Sequence, residues 1–498
     1  MTPPEALLLG LYFSILSLLA VYSVHRSVLV YLYMKHRNRA PAQSSASHPL
    51  PPVTVQLPIF NEMYVADRLI DAVCKLDYPR ELLEIQVLDD SIDETRQIAE
   101  AAVCRHVAEG VNIRYLHRDD RRGFKAGALQ AGLKIARGQL VAVFDADFVP
   151  SPDFLRRTIP VFADPAVGMV QARWGHLNPD YSLLTKVQSI FLDGHFVLEH
   201  GSRYRAGLFF NFNGTAGVWR RAAIDSAGGW QHDTLTEVLD LSYRAQLVGW
   251  KFVFLQELES LAELPVEMNA FKTQQRRWAK GSVQTCRKLL PRLLRSTLPL
   301  RVKTEAFFHL SANFNYLLML ALSLLLFPAL YIRYRLDSYG LLVVDVPLFC
   351  AATLSVANFY ALSQREVYPD WKARLKYLPA VIAVGIGLSV NNSLAVLEGL
   401  WNGEAEFTRT PKYGIERRGD DWSGKKYRQS RALQPLIEVA LGVYFTGAVL
   451  YAMTVHIYGA IPFLMLFQFG FLYTGLLSLA QQQTSVTLVL KTQVASGD

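Results

Sequence analysis

Hydrophobic and polar positions divide the chain into three kinds of stretch. Residues 7–23, 306–331, 341–363, 434–455 and 459–480 are apolar runs of membrane-spanning length. The first alone makes a helix of roughly 25 Å, most of the thickness of a bilayer's hydrocarbon core. Between residues 50 and 150, short β-branched runs at 53–57, 85–88, 113–116 and 140–144 alternate with helical-period stretches at 65–75, 94–109 and 126–136. That alternation predicts βαβ units and a mostly parallel sheet. The third kind is the run 378–390, which stays apolar for only about 13 residues before Asn391-Asn392-Ser393. That length suits an interfacial or re-entrant helix.

Charge orients these elements. Met1 to Glu5 lacks a basic n-region, so the first run reads as a retained anchor, and Lys35, Arg37 and Arg39 behind it place all that follows on the cytoplasmic side. Arg365, Lys372, Arg374 and Lys376 precede the run 378–390, and Arg409, Lys412, Arg417, Arg418, Lys425 and Lys426 follow it. With both flanks cytoplasmic the run does not cross. The expectation is five spans plus one surface-lying helix, with six spans as the alternative. The organisation is then an anchor at 1–34, a cytoplasmic domain at 50–265, interfacial helices at 266–300, two spans within 305–363, an interfacial helix and loop at 375–431, and two spans within 434–481.

Composition agrees with a catalytic domain joined to a membrane part: 51% of residues are hydrophobic and 12% aromatic. The net charge of +8 comes from basic residues gathered beside the apolar runs, which points to a lipid bilayer and away from nucleic acid. Cys74, Cys104, Cys286 and Cys350 have no metal-ligand or disulfide-framework spacing and read as small buried hydrophobes in a reducing compartment.

The candidate chemistry lies at the carboxyl ends of predicted strands, where open α/β sheets bind ligands. Asp89-Asp90 follows the run 85–88, and Asp145-Ala-Asp147 follows 140–144. Extended residues two apart point the same way, so Asp145 and Asp147 present two carboxylates to one side. Hard oxygen ligands of this kind suit Mg2+ or Mn2+ bridging a diphosphate, while an acidic turn after a strand is the plain alternative. Lys125, within Gly123-Phe-Lys-Ala-Gly127, belongs either to a mobile phosphate-facing loop or to a turn before a helix. Gln274, Arg277 and Trp278 fall on one face of a predicted helix. An indole offers a platform for a sugar ring and an arginine pairs with diphosphate oxygens; the alternative is a membrane-surface helix with Trp278 among headgroups.

In this order and at these separations the motifs resemble the family 2 glycosyltransferases that build β-linked polysaccharides, over roughly residues 50–300. The strings Gln56-Leu-Pro-Ile-Phe-Asn-Glu62, Val87-Leu-Asp-Asp-Ser91, Lys125-Ala-Gly-Ala-Leu129, Phe144-Asp-Ala-Asp-Phe148, Val170-Gln-Ala-Arg-Trp174 and Phe212-Asn-Gly-Thr-Ala-Gly-Val-Trp219 look most like cellulose-synthase-like glucomannan and mannan synthases. The resemblance implies a GT-A-type α/β domain with an α-helical transmembrane region, in the plasma, inner or Golgi membrane. It implies a nucleotide-sugar donor, GDP-mannose or UDP-glucose, held by Asp90, Lys125, Asp145, Asp147, Gln274 and Arg277, with the metal on Asp145 and Asp147. The acceptor glycan would meet Phe212, Asn213, Gly214, Thr215 and Trp278, and the polymer would leave through the membrane. Phe407-Thr-Arg-Thr410-Pro-Lys412 has the spacing of the family's gating loop, which closes over the donor. Transfer of one glucose to a membrane lipid is the competing reading.

Two departures from the family pattern stand out. The chain ends within about twenty residues of its last span, too few for a cyclic-dinucleotide-sensing barrel. More seriously, the pattern Thr-Glu-Asp carries the catalytic base on its aspartate, and here Thr236-Glu237 is followed by Val238. Valine accepts no proton, so binding should survive and turnover should fall, leaving a nucleotide-sugar binder unless Glu237 or water takes the proton. Asp240 fills a place that is acidic in the family anyway.

Overall fold

The computed structural model describes residues 1–38, 49–337, 342–401, 409–427 and 433–495. Eight strands form one sheet: β1 (Val53–Ile59), β2 (Leu83–Asp89), β3 (Ile113–His117), β4 (Leu140–Val143), β5 (Phe148–Val149), β6 (Val167–His176), β7 (Gly217–Arg220) and β8 (Lys251–Ala262). Their order is β3-β2-β1-β4-β7-β6-β8-β5. The first four strands in this order are parallel, as the alternating pattern predicts, and helices Ala66–Cys74, Thr95–Ala108 and Phe124–Ile135 make the crossovers. β7 then enters antiparallel between β4 and β6. The sheet is therefore mixed, mostly parallel at the end where the acidic motifs lie.

Central strands are buried on both faces, so β1 reads almost continuously apolar. Its polar exceptions are paired: Gln56 Nε2 donates to Gln86 Oε1 at 3.0 Å, and Thr54 Oγ1 donates to Glu84 Oε2 at 2.8 Å. One apolar cluster lies on each face of the sheet, around Val55, Ile85 and Phe144 on one side and around Leu129, Phe212 and Trp219 on the other.

Among the described residues five helices are long and apolar enough to cross a membrane: Pro3–Lys35, Phe314–Arg335, Val343–Val367, Gln434–Thr454 and Tyr458–Gln482. The second begins later than its apolar run suggests. Residues Leu300–Ser311 form a separate helix, because Glu305 and His309 are used on the soluble domain, where they bond Arg203 and Tyr243. The run 378–390 also departs from expectation. It belongs to a helix pair, Trp371–Gly387 and Ser389–Trp401, bent by 42°. Much of it is buried rather than surface-lying: a Cβ on Gly387 would come within 2.4 Å of the Gly470 carbonyl oxygen, so glycine lets two helix backbones touch. The four cysteines are free; Cys286 is buried as read, whereas Cys74 and Cys350 are half-buried and Cys104 is exposed, contrary to their reading as buried hydrophobes.

Candidate active site

The strand ends and the helix Met268–Arg295 converge on one site. Asp90, just past β2, is clamped by Arg118, whose Nε and Nη2 donate to its two carboxylate oxygens at 2.7 and 2.5 Å. Asp145 and Asp147 follow β4. The Lys125 ammonium pairs with Asp145 and donates to the Gly214 carbonyl at 2.8 Å, and the Asp145 amide donates to Thr215 Oγ1 at 2.8 Å. Lys125 stands on the first turn of the helix Phe124–Ile135, directed at the acidic motif. Lys412 Nζ lies 2.5 Å from Asp147 Oδ2 and donates to the Glu263 carbonyl at 3.2 Å.

Segment 409–427 thus lies across the front of the site. Arg409 Nε donates to Glu62 Oε1 at 3.2 Å, the Tyr413 and Gly414 amides each donate to the Glu263 carboxylate at 2.9 Å, and Tyr413 OH donates to Glu267 at 3.1 Å. Thr410 is buried within it. Phe407, named as part of the gating loop, lies outside the described residues.

Glu62 and Glu263 were not singled out by motif spacing, although Glu62 closes the first string. Burial pushes the Glu62 carboxyl up to about 7, with Arg409 and Lys412 pulling it down and Asp147 and Asp145 adding to the rise. Burial likewise raises Glu263. Arg277 is surrounded by this same charge: burial pushes its guanidinium down, against the pull of Glu237, Asp145, Asp147 and Glu62. Among the described residues no group of three or more His, Cys, Asp or Glu side chains is arranged to hold a metal ion, and Asp145 and Asp147 are each paired with a lysine; Glu62 Oε2 is buried with no hydrogen bond among the described residues.

Thr236, Val238, Gln274 and Trp278 line a cavity of ≈ 510 Å³ that continues among the long apolar helices, past Leu16, Tyr316, Ile382 and Phe467. Close backbone approach builds this corner. A Cβ on Gly281 would come within 2.7 Å of the Thr236 amide nitrogen, and Leu235 N donates to Gln284 Oε1 at 2.9 Å, so the Trp278 helix lies directly on Thr236-Glu237-Val238. Val238 Cγ1 is 3.6 Å from where a Gly214 side chain would begin. Its neighbour Glu237 faces the donor cations, and burial raises its carboxyl against the pull of Lys125 and Arg277. Asp240 is engaged elsewhere, with Arg244 at 2.7 Å and Lys288 at 2.9 Å.

Gln274 lines the cavity beside Trp278. Phe212, grouped with the acceptor, is wholly buried against Trp219, with ring centroids 5.7 Å apart, because it packs the core beneath the loop. Asn213 lines the cavity, while Thr215 holds the backbone of Asp145 from within.

Residues 51–281 match the sequence model described as glycosyltransferase like family 2. This segment is similar to the family 2 glycosyltransferase domain. Glucomannan 4-beta-mannosyltransferase 2 of Arabidopsis thaliana is 47% identical over 251 residues, 49% of this chain and 47% of that protein. Glucomannan 4-beta-mannosyltransferase 1 of Oryza sativa subsp. japonica is 45% identical over 251 residues, 49% of this chain and 48% of the other. A probable glucomannan 4-beta-mannosyltransferase 15 of Arabidopsis is 39% identical over 320 residues, 61% of this chain and 59% of its own. The chain spans about half the length of the curated relatives it matches. Among solved structures, mannosyltransferase PcManGT from Pyrobaculum calidifontis, in complex with GDP-Man and Mn2+, has the same fold, with TM-score 0.52 and 19% identity over 79% of this chain and 100% of that one. The mostly parallel sheet read from the alternating pattern and the GT-A-type domain implied by the resemblance are the fold observed.

Proposed function

We propose that the protein is a membrane-embedded inverting hexosyltransferase that moves a sugar from a nucleotide donor, GDP-mannose first and UDP-glucose second, onto a β-glycan. The polymer leaves through the cavity between the apolar helices. The observation that carries this reading is the continuity of that cavity from Val238 and Trp278 at the transfer site into the helical region. The relatives' mannosyltransferase names support the choice of donor.

In this reading Asp145 and Asp147 hold Mg2+ or Mn2+, which when bound neutralises charge on the departing diphosphate. Lys125 and Arg277 place fixed positive charge beside the same position, and Asp90 and its Arg118 clamp shape the nucleoside side. Segment 409–427 covers the donor, with Lys412 reaching the acidic motif. Trp278 supports the acceptor ring and leaves its hydroxyl near Val238. In a base-equipped site, a carboxylate at 238 takes the hydroxyl proton as the oxygen attacks the anomeric carbon and the bond to phosphate breaks. A valine there leaves the attack without its proton acceptor.

The test is a donor screen on the purified full chain and its Val238→Asp counterpart, with product length measured. The Asp form should transfer at least about a hundredfold faster at unchanged donor affinity, since a positioned general base is worth about 10²–10⁴ in rate. Equal rates would mean another group takes the proton, and loss of activity in Glu237→Gln would then identify it. A second reading, a lipid acceptor, is favoured by the apolar lining at Leu16, Leu19, Phe463 and Phe467. It requires product in the organic phase rather than polymer.

A further inference from the structure

The helices Met268–Arg295 and Leu300–Ser311 meet in a short turn. From Met268 to Thr304 the chain carries ten basic residues and no acidic one. Several of the ten have partners. Lys272 pairs with Glu438, Arg276 and Lys280 pair with Glu398, and Lys288 meets Asp233 at 2.7 Å and Asp240 at 2.9 Å. Arg292 and Arg295 are different. Both are exposed, and neither side chain forms an ion pair or hydrogen bond among the described residues. With Lys288, Ser296 and Thr297 they line a pocket of ≈ 590 Å³. The turn beneath it is held in place, since Lys303 Nζ donates to the Leu294 carbonyl at 2.9 Å and Ser296 Oγ to the Leu293 carbonyl at 2.6 Å.

Contacts with the first apolar helix, Pro3–Lys35, set the level of this turn. Tyr22 OH and Ser311 Oγ lie 2.9 Å apart, and His25 Nε2 lies 2.7 Å from Glu305 Oε2 while its ring stacks on Phe308 with centroids 4.2 Å apart. Further along, Leu32 and Leu298 pack on one cluster with Val302. Leu300–Ser311 thus runs beside Pro3–Lys35 and begins near Leu32, about one turn before Lys35. A basic residue closing an apolar span marks the headgroup level of a bilayer. Around the pocket the surface is apolar: Leu294 is 46% exposed, Leu300 77% and Phe307 41%. Leu300 and Phe307, seven residues apart, share a helix face. Bare apolar side chains beside unpaired arginines suit a bilayer surface, where acyl chains cover the first and phosphates meet the second.

We infer that Arg292 and Arg295 form a binding site for the headgroup of an anionic phospholipid, with Leu294, Leu300 and Phe307 against its acyl chains. The inference rests on the membrane-embedded reading above and is independent of the sugar chemistry. Charge decides the occupant. Guanidinium groups bind phosphate oxygens through paired N–H donors. A zwitterionic headgroup brings an ammonium group that the arginines repel, whereas an anionic one adds only attraction. A lipid held there braces, at its far end, the helix that carries Arg277 and Trp278.

The experiment titrates the purified full chain, in a neutral detergent, with phosphatidylglycerol or phosphatidylcholine and counts bound lipid by native mass spectrometry. Phosphatidylglycerol should bind the unaltered protein more tightly, at a saturable site. Arg292→Gln and Arg295→Gln should each weaken it by about fivefold and together by about thirtyfold, the scale of one basic residue at an anionic surface, while phosphatidylcholine binding holds. Lys134→Gln, which removes an exposed charge from the helix Phe124–Ile135, should leave the preference intact. Both arginines are exposed, so lipid-free melting should match that of the unaltered chain; where the double variant melts lower, the single variants decide. Equal binding of the two lipids, or a preference that survives the loss of the arginines or falls as much in Lys134→Gln, overturns the site. Displacement of the lipid by an equal concentration of glycerol 3-phosphate would make the occupant a free phosphate compound and overturn the lipid assignment. Failure of the unaltered chain to float with vesicles of the two lipids overturns the membrane reading itself, and the site with it.

Discussion

At the scale of single residues the site is a balance of charge. Asp145 and Asp147 each meet an ammonium group, Lys125 and Lys412, so the positive charge a divalent cation would bring is partly supplied by the chain. The two lysines are not equivalent. Lys125 is fixed by its own helix and the Gly214 carbonyl, whereas Lys412 comes from a segment remote in sequence. Replacing Asp147 with Ala should remove metal-dependent nucleotide binding, because the ion loses an oxygen ligand and Lys412 loses its counter-charge. Titration of GDP-mannose with and without Mn2+ checks this, and an unchanged metal dependence would place the ion elsewhere. Val238 belongs to the same scale: its position follows from local spacing, but its separation from the carboxylate of Glu237 follows from the helix turn, which directs neighbouring side chains about 100° apart.

At the scale of elements, the helix Met268–Arg295 couples chemistry to membrane. Arg277 faces the carboxylates, Trp278 faces the cavity, and Lys272 on the same helix is buried against Glu438 at 2.5 Å and Ser478 Oγ at 2.7 Å. This ion pair joins Met268–Arg295 to Gln434–Thr454, and Asn391 Nδ2 adds a bond to the Lys272 carbonyl at 3.0 Å. Removing one partner leaves an uncompensated buried charge, so Glu438→Leu should destabilise the protein by about 3–5 kcal/mol. The double variant Lys272→Met with Glu438→Leu should recover most of that loss. Melting in detergent tests both, and a double variant no better than the single one would show that packing, not charge, sets the cost. The ends of this helix and its neighbours were less legible than its existence. The apolar run starting at 306 gives no sign that Glu305 and His309 turn the preceding helix toward the soluble domain.

At the scale of the whole molecule, the bent pair Trp371–Gly387 and Ser389–Trp401 determines whether the chain crosses five times or six. We expect its basic flanks to lie on one side, since segment 409–427 reaches the active site of a domain that also follows the first span. Cysteines placed at Arg365 and Arg417 should label from the same side of sealed vesicles, and labelling from opposite sides would establish a sixth crossing. The sequence by itself determined the alternation of strands and helices, the place of Asp90, Asp145 and Asp147 at strand ends, and the apolar spans. Each is written in local periodicity, because burial on one face repeats at the spacing of the element. Only the tertiary structure decided that Lys412 meets Asp147, that Glu62 and Glu263 anchor the covering segment, that Phe212 is core rather than lining, and that Glu305 meets both His25 and Arg203. These partners come from segments hundreds of residues apart, and no local pattern records which distant group will neutralise a buried charge.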